Sequence, residues 1–384
     1  MQNVVSGGLN SPSKASIVAP DGQGGLADLS PRDEPWDAHR ADTERVATML
    51  AGWDPGWYWG THRCRPPAQR LQSCSTQLQF APTIPDPTTG ETRLVLKHAQ
   101  FCRVRYCPVC QWRRSLRWTA RVLEELPRLL EDYPKIRFLF LTLTIRNCHV
   151  SDLRETLQKM QAGWERLCHR RDWPALGYLR SLEVTRNRVE ATVHPHYHAL
   201  LLVPSSYFKT KYLKHSRWVE LWKESLQVSY NPIVNIKTVT LKCLSDQDSE
   251  LQRVLKGKLQ DNFKALSPDL KLAYLRHLKH AVVETVKYSV KPEDLTSKSR
   301  PGTAEYELDK EWLQEYAAQI RGIRSTVVGG LLRKYLREQE VEADLVHVGE
   351  EEQVEVTEES WIFVWRREIG RYLLELEQGL EETA

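Results

Sequence analysis

The chain has 384 residues, of which 41% are hydrophobic and 27% charged, with a net charge of +4. That length buries a substantial core, in two or three units of ordinary size, and the composition is that of a soluble globular protein. No apolar run approaches the roughly 20 residues needed to span a bilayer, and the start has no basic segment followed by an apolar one, which excludes a membrane-spanning or secretory reading and predicts a cytoplasmic protein.

The charge is unevenly placed. Residues 338–384 hold 3 Lys/Arg and 15 Asp/Glu, a balance of −12 that leaves +16 on the rest of the chain. A basic body with an acidic tail suits a polyanion binder, although a solvated tail without a role explains the tail equally well. Residues 1–33 are rich in Gly, Ser, Pro and Asp and are predicted to be disordered. A zinc-containing module with a basic helix is predicted over 34–132. The cluster Trp53, Trp57, Tyr58 and Trp59 suits the packing of that module better than stacking on bases.

Cys107-Pro108-Val109-Cys110 is a CxxC knuckle whose two thiolates can grip one tetrahedral ion, and Cys102 adds a third. Cys74 is the expected fourth, brought near by a hairpin around Pro85 to Gly90, with Cys64 and then His98 as competitors. A redox CxxC is the rival, but the upstream cysteine and the lack of a βαβ pattern argue for structural zinc. Cys148, Cys168 and Cys243 read as ordinary buried thiols. From Trp118 the apolar spacing is helical to about Asp132, with Pro127 expected to kink or end the helix. Arg113, Arg114 and Arg117 crowd its start, where cations oppose the helix dipole; a DNA phosphate nearby would offset that, and a solvated face is the alternative.

Residues Arg137 to Ile145 read as a buried strand. A helix with a capping pair at Asp152 and Glu155 follows, and then a strand from Tyr178 to Thr185. A polar turn leads into Val193 to Val203, which carries His194, His196 and His198 in alternation before five apolar residues. Alternate residues of a strand share a face, so these imidazoles point one way unless Pro195 begins the strand and leaves His194 outside. Two such imidazoles can hold one divalent ion; hydrogen-bonded strand histidines are the competing reading. If the two strands form a hairpin, Glu183 lies near His194 or His196, according to the turn register, and completes a site for Mg²⁺ or Mn²⁺ acting on a phosphodiester.

Further on, a helix over Ser216 to Leu226 and a strand over Ile233 to Leu241 are predicted. A long helix begins at Ser267-Pro268 and is predicted to continue to about Val290. Glu284 and Tyr288 would then share one helical face, and Lys287 and Lys291 the next. Residues 310–337 read as helical with breaks at the glycines, Trp361 to Trp365 as a strand, and Glu368 to Leu376 as a helix.

Four blocks in this order resemble the rolling-circle replication initiators of small bacterial plasmids, within the group of HUH (His-hydrophobe-His) endonucleases that use one tyrosine. They are Cys-Pro-Val-Cys-Gln-Trp-Arg-Arg-Ser, Phe-Leu-Thr-Leu-Thr, His-Pro-His-Tyr-His-Ala-Leu-Leu and Glu-Thr-Val-Lys-Tyr-Ser-Val-Lys, spanning roughly Cys74 to Lys291. The resemblance implies an α+β fold with a central antiparallel palm sheet, placed over 133–300; the helical extension over 301–337 and the acidic segment over 338–384 are read from the residues and lie outside it. It places metal-binding histidines at His196 and His198, the nucleophile at Tyr288, a water-activating glutamate at Glu284 and zinc ligands at Cys74, Cys102, Cys107 and Cys110. Lys287 and Lys291 join the three arginines as DNA contacts. The implied partners are origin DNA, double- and single-stranded, with a host helicase and polymerase and no membrane; dimerisation is left open. A transposase, a mobilisation relaxase, or a zinc-containing DNA-binding regulator without catalysis are the alternatives.

Overall fold

The computed structural model describes residues 24–59, 61–239, 263, 267–286, 289–297, 299–337, 343–347 and 354–375. The chain divides into two units: Met1–Ala41 with Ser75–Gln100 and Glu350–Ala384, and Asp42–Cys74 with Phe101–Gly349. Both mix helix with antiparallel sheet, as the expected α+β class requires.

In the first unit a four-stranded sheet runs in the order Arg371–Glu375, Trp361–Arg366, Gln77–Pro82, Leu94–Ala99. The hairpin expected around Pro85 to Gly90 forms. Phe80 and Phe363 meet edge to face at 5.7 Å in its core. The helix expected over 368–376 is instead a strand over Arg371–Glu375. Gly370, at φ +66°, makes the turn that folds this strand back on Trp361–Arg366 and sets Tyr372 in the core beside Trp36. Leu376 lies outside the described residues, as do 1–23 of the predicted disordered segment; Leu26–Leu29 is a helical turn with Leu26 buried.

The second unit is built on five strands: β1 (Ile136–Thr144), β2 (Gly177–Asn187), β3 (Thr192–Pro204), β4 (Val234–Thr238) and β5 (Thr326–Gly330). Their order is β4-β1-β3-β2-β5, so the histidine strand β3 lies at the centre. The longer helices of this unit include α1 (Pro108–Asp132), α2 (Leu153–Cys168), α3 (His215–Leu226), α4 (Pro268–Val286) and α5 (Ala304–Gln319). Strand alternation gives the sheet two apolar faces. Phe138, Leu179, Leu200 and Leu202 pack with Trp118, Val122 and Leu126 of α1 and Leu278, Val282 and Val286 of α4. Tyr197 and Tyr178 face the other way, onto Trp164 of α2.

Several local expectations change. α1 starts at Pro108, inside the knuckle, and passes through Pro127. An internal proline costs a helix about 3 kcal/mol, and the nearly complete burial of Leu126, Leu129 and Leu130, at roughly 2 kcal/mol each, outweighs it. Asp152 occupies the N-cap of α2 without a side-chain cap bond, because a 3₁₀ turn over Val150–Asp152 precedes the helix. The glycines at 329 and 330 belong to β5, at the sheet edge. A Cβ on Gly329 would collide with the Tyr178 ring, and one on Gly330, at φ +57°, with Leu176 O, so these glycines permit a close strand approach. Among the described residues, no helix is long and apolar enough to cross a membrane.

Candidate metal centres

The register of β2 on β3 decides the first centre. Glu183 pairs with His196 and Ser181 with His198, which puts the carboxylate on the face that carries both imidazoles. His196 Nε2 and His198 Nε2 lie 3.1 and 2.8 Å from Glu183 Oε2. Donors about 2.1 Å from an octahedral ion and at right angles to one another would be about 3.0 Å apart, so the set fits a hard divalent cation with positions left for other ligands. His196 Nδ1 donates to His194 O at 3.2 Å, which leaves its Nε2 lone pair for a ligand. His198 Nδ1 sits 3.3 Å from Thr142 Oγ1. Glu183 and His198 are buried and His196 half-buried.

His194 shares this face, since β3 begins at Thr192, but it is not one of the three converging groups. Its ring lies 5.3 Å from that of His196, and burial, followed by that neighbour, pushes its pKa below the ordinary value. Pro195 is tolerated because the Val184 N–H opposite turns away from β3, to Ser289 O, so the two are not a hydrogen-bonding pair; on its other side the β1 ladder ends at Thr144 and His196.

Between the two ligands, Tyr197 points into the opposite core. It is 3% exposed, with the Arg180 guanidinium 4.0 Å from its ring centre and Trp164 at 6.0 Å. Sequence reasoning passed over Arg180, which follows Leu179 in a strand next to the central one.

The second centre gathers Cys74, Cys102, Cys107 and Cys110. Cys64 and His98 are not part of it. Three sulfur pairs are 3.7 Å apart: Cys74 with Cys110, Cys102 with Cys110, and Cys107 with Cys74. Four thiolates about 2.3 Å from a tetrahedral zinc ion would be about 3.8 Å apart, so the cluster has the size of a closed zinc site. The Cys102 and Arg103 amides donate to the sulfurs of Cys74 and Cys110, and Arg103 adopts φ +57° to do so. Hydrogen bonds from the three other thiols pull Cys74 well below the usual thiol pKa, while burial pushes Cys102 and Cys110 up. Cys148 and Cys168 are half-buried, less than expected, and Cys243 lies outside the described residues.

The three arginines expected to meet DNA phosphate are 5–7% exposed and have chain partners. Arg113 donates to Leu345 O and Val346 O, Arg114 to Arg103 O, and Arg117 lies 3.9 Å from Asp344. Carbonyls from the far end of the chain thus stand where phosphate was expected.

Lys287 and Tyr288 lie outside the described residues. Their flanks are described. α4 is described to Val286, with Glu284 half-buried near that end, and it does not reach the expected end at Val290. Ser289 and Val290 leave the helix because their amides bond to Gln111 Oε1 and Ser289 O accepts from Val184 N. Lys291 consequently caps the next short helix, Pro292–Leu295, and is exposed, outside α4.

The replication protein family matches residues 93–373. The chain belongs to this family. It is 33% identical over 318 residues to a "Protein rep" of Bacillus amyloliquefaciens, covering 80% of this chain and 84% of that one. A "Protein rep" of Lactiplantibacillus plantarum is 32% identical over 312 residues, 77% of this chain and 86% of that one. Another, from Streptococcus pneumoniae serotype 2 (strain D39 / NCTC 7466), is 32% identical over 229 residues, 58% and 60% of the two chains. No solved structure matches. Membership of the replication protein family bears out the resemblance to plasmid replication initiators drawn from the four sequence blocks, and the matched span takes in the Glu-His-His centre and three of the four clustered cysteines.

Proposed function

We propose that this replication protein initiates rolling-circle replication of a plasmid by nicking one strand of its double-strand origin with Tyr288 as nucleophile. The observation that carries this reading is the convergence of Glu183, His196 and His198 on one face of a central strand, within a replication protein. The chain on both sides of position 288 is tied to the strand that bears Glu183, since Ser181 Oγ donates to Thr285 O and Val184 N to Ser289 O. In this reading the five-stranded sheet is the palm of an HUH endonuclease.

Glu183, His196 and His198 would hold Mg²⁺ or Mn²⁺, which supplies charge stabilisation on the scissile phosphate. The Tyr288 phenolate attacks phosphorus and the bond to the 3′-oxygen breaks; the departing 3′-oxygen takes up a proton, which leaves a 5′-phosphotyrosine and a free 3′-hydroxyl. That hydroxyl primes a host polymerase, with a host helicase opening the duplex. A free phenol ionises near pH 10, and Lys287 is the residue assigned to favour the phenolate. Glu284 takes a proton from water in the closing step; the water oxygen bonds to phosphorus at the regenerated site, the bond to the 3′-oxygen breaks, and that oxygen takes up a proton, which ends the cycle. Cys74, Cys102, Cys107 and Cys110 would hold structural Zn²⁺.

The test is to incubate purified protein with supercoiled plasmid carrying its own origin, with Mn²⁺ or with chelator. Relaxed circles with Mn²⁺, none with chelator and none with His198→Ala are expected. Shifted but uncut DNA under all conditions would favour a non-catalytic regulator.

A further inference from the structure

Gln111 directly follows Cys110 on the first turn of α1 and is 4% exposed. Its Oε1 accepts three hydrogen bonds, from Ser289 N at 3.1 Å, Ser289 Oγ at 2.7 Å and Val290 N at 3.2 Å. Two backbone donors on one atom fix the amide orientation, because only the carbonyl oxygen can accept them. Its Nε2 has no partner among the described residues. Ser289 O in turn accepts from Val184 N at 2.8 Å, the residue after Glu183. The pair 289–290 is therefore held from one side by a neighbour of the cysteine cluster and from the other by a neighbour of the Glu-His-His centre.

We propose that Gln111 is a positioning residue for nicking. It fixes the chain directly after Tyr288 and so links the zinc knuckle to the nicking centre. The proposal rests on the reading of Tyr288 as nucleophile. The Gln111 side chain acts through residues 289–290 and not directly on the Glu-His-His group; what matters is its acceptor oxygen.

Two variants of the full chain separate this from a role in filling space. Gln111→Glu keeps the acceptor, in a pocket that Arg105 and Arg114 also line. Gln111→Met keeps the volume and removes the acceptor. Amide hydrogen exchange over 286–291 should quicken about tenfold or more in Gln111→Met and stay near wild type in Gln111→Glu. Single-turnover cleavage of an oligonucleotide bearing the nick sequence should fall about 10²-fold in Gln111→Met, with oligonucleotide affinity and bound zinc unchanged. Gln111→Glu should stay within a few-fold of wild type. A folded but inactive Gln111→Glu beside an active Gln111→Met would overturn the proposal, and so would unchanged exchange in Gln111→Met. If the wild-type DNA adduct maps away from Tyr288, the nucleophile assignment fails, whereas the exchange measurement still judges the Gln111 contact.

Discussion

Replacing Tyr197 by Leu keeps a hydrophobe between His196 and His198 but removes an aromatic ring. In the structure that ring faces Arg180 at 4.0 Å and Trp164 at 6.0 Å, and all three residues are 3% exposed or less. A desolvated cation–π contact contributes about 2 kcal/mol and an edge-on aromatic pair about 1 kcal/mol, so the variant should lose about 3 kcal/mol. Arg180 then keeps its bond from Nη2 to Gln161 Oε1 and the Trp164 ring at 5.1 Å, and loses the nearer of the two rings that face its charge. At about 2–4 °C per kcal/mol for a unit of this size, the melting temperature should fall by roughly 6–12 °C. The assay is thermal unfolding of wild type, Tyr197→Leu, Arg180→Met and the double variant. Because the two side chains are in contact, the cycle should show a coupling of about 2 kcal/mol, with the double variant better than the sum of the singles. Additive losses, or a Tyr197→Leu protein as stable as wild type, would refute the claim that the middle residue of the histidine motif anchors the strand through Arg180.

Cys107→Ser should release the metal held by the cysteine cluster and lower stability, read by metal content and melting temperature; one zinc per chain retained in that variant would point to other ligands. Acidification should have the same effect in wild type: holding the metal needs thiolates, burial raises the thiol pKa of Cys102 and Cys110, and retention is therefore lost as pH falls. Glu284→Ala should nick origin plasmid at a near-normal rate but fail to terminate, accumulating multimers in cells; normal termination would remove its assigned role. Gly329→Ala should cost about 1–3 kcal/mol, read by denaturant unfolding, because its methyl group would have to displace the Tyr178 ring.

The histidine strand was legible because strand geometry makes a period of two visible: three histidines alternating into an apolar run already share a face. The choice between pairing Glu183 with His194 or with His196 depends on turn length, which the fold supplies through the Glu183–His196 register. The cysteine cluster was legible from its spacing alone for three ligands, and the fourth followed from the hairpin between Cys74 and Cys102. Contacts made over long sequence separations were not legible. Arg113 reads as a surface cation until Leu345 and Val346, more than 230 residues away, bring their carbonyls to it. The leucines and glutamates after residue 368 suit a helix by local propensity, and pairing with Trp361–Arg366 overrides that preference. Gly329 and Gly330 read as breaks, while their lack of a side chain is what lets an edge strand pass Tyr178 and Leu176. The end of α4 was misplaced because the amides that follow it bond to Gln111, a partner 178 residues earlier in the case of Ser289.

The most direct test of the central claim is mass spectrometry of the protein–DNA adduct formed on an origin oligonucleotide in Mn²⁺. The account predicts a 5′-phosphodiester to Tyr288 in wild type, and no adduct in Tyr288→Phe or in Glu183→Ala. An adduct on a different residue, or one that forms normally in Tyr288→Phe, would contradict it.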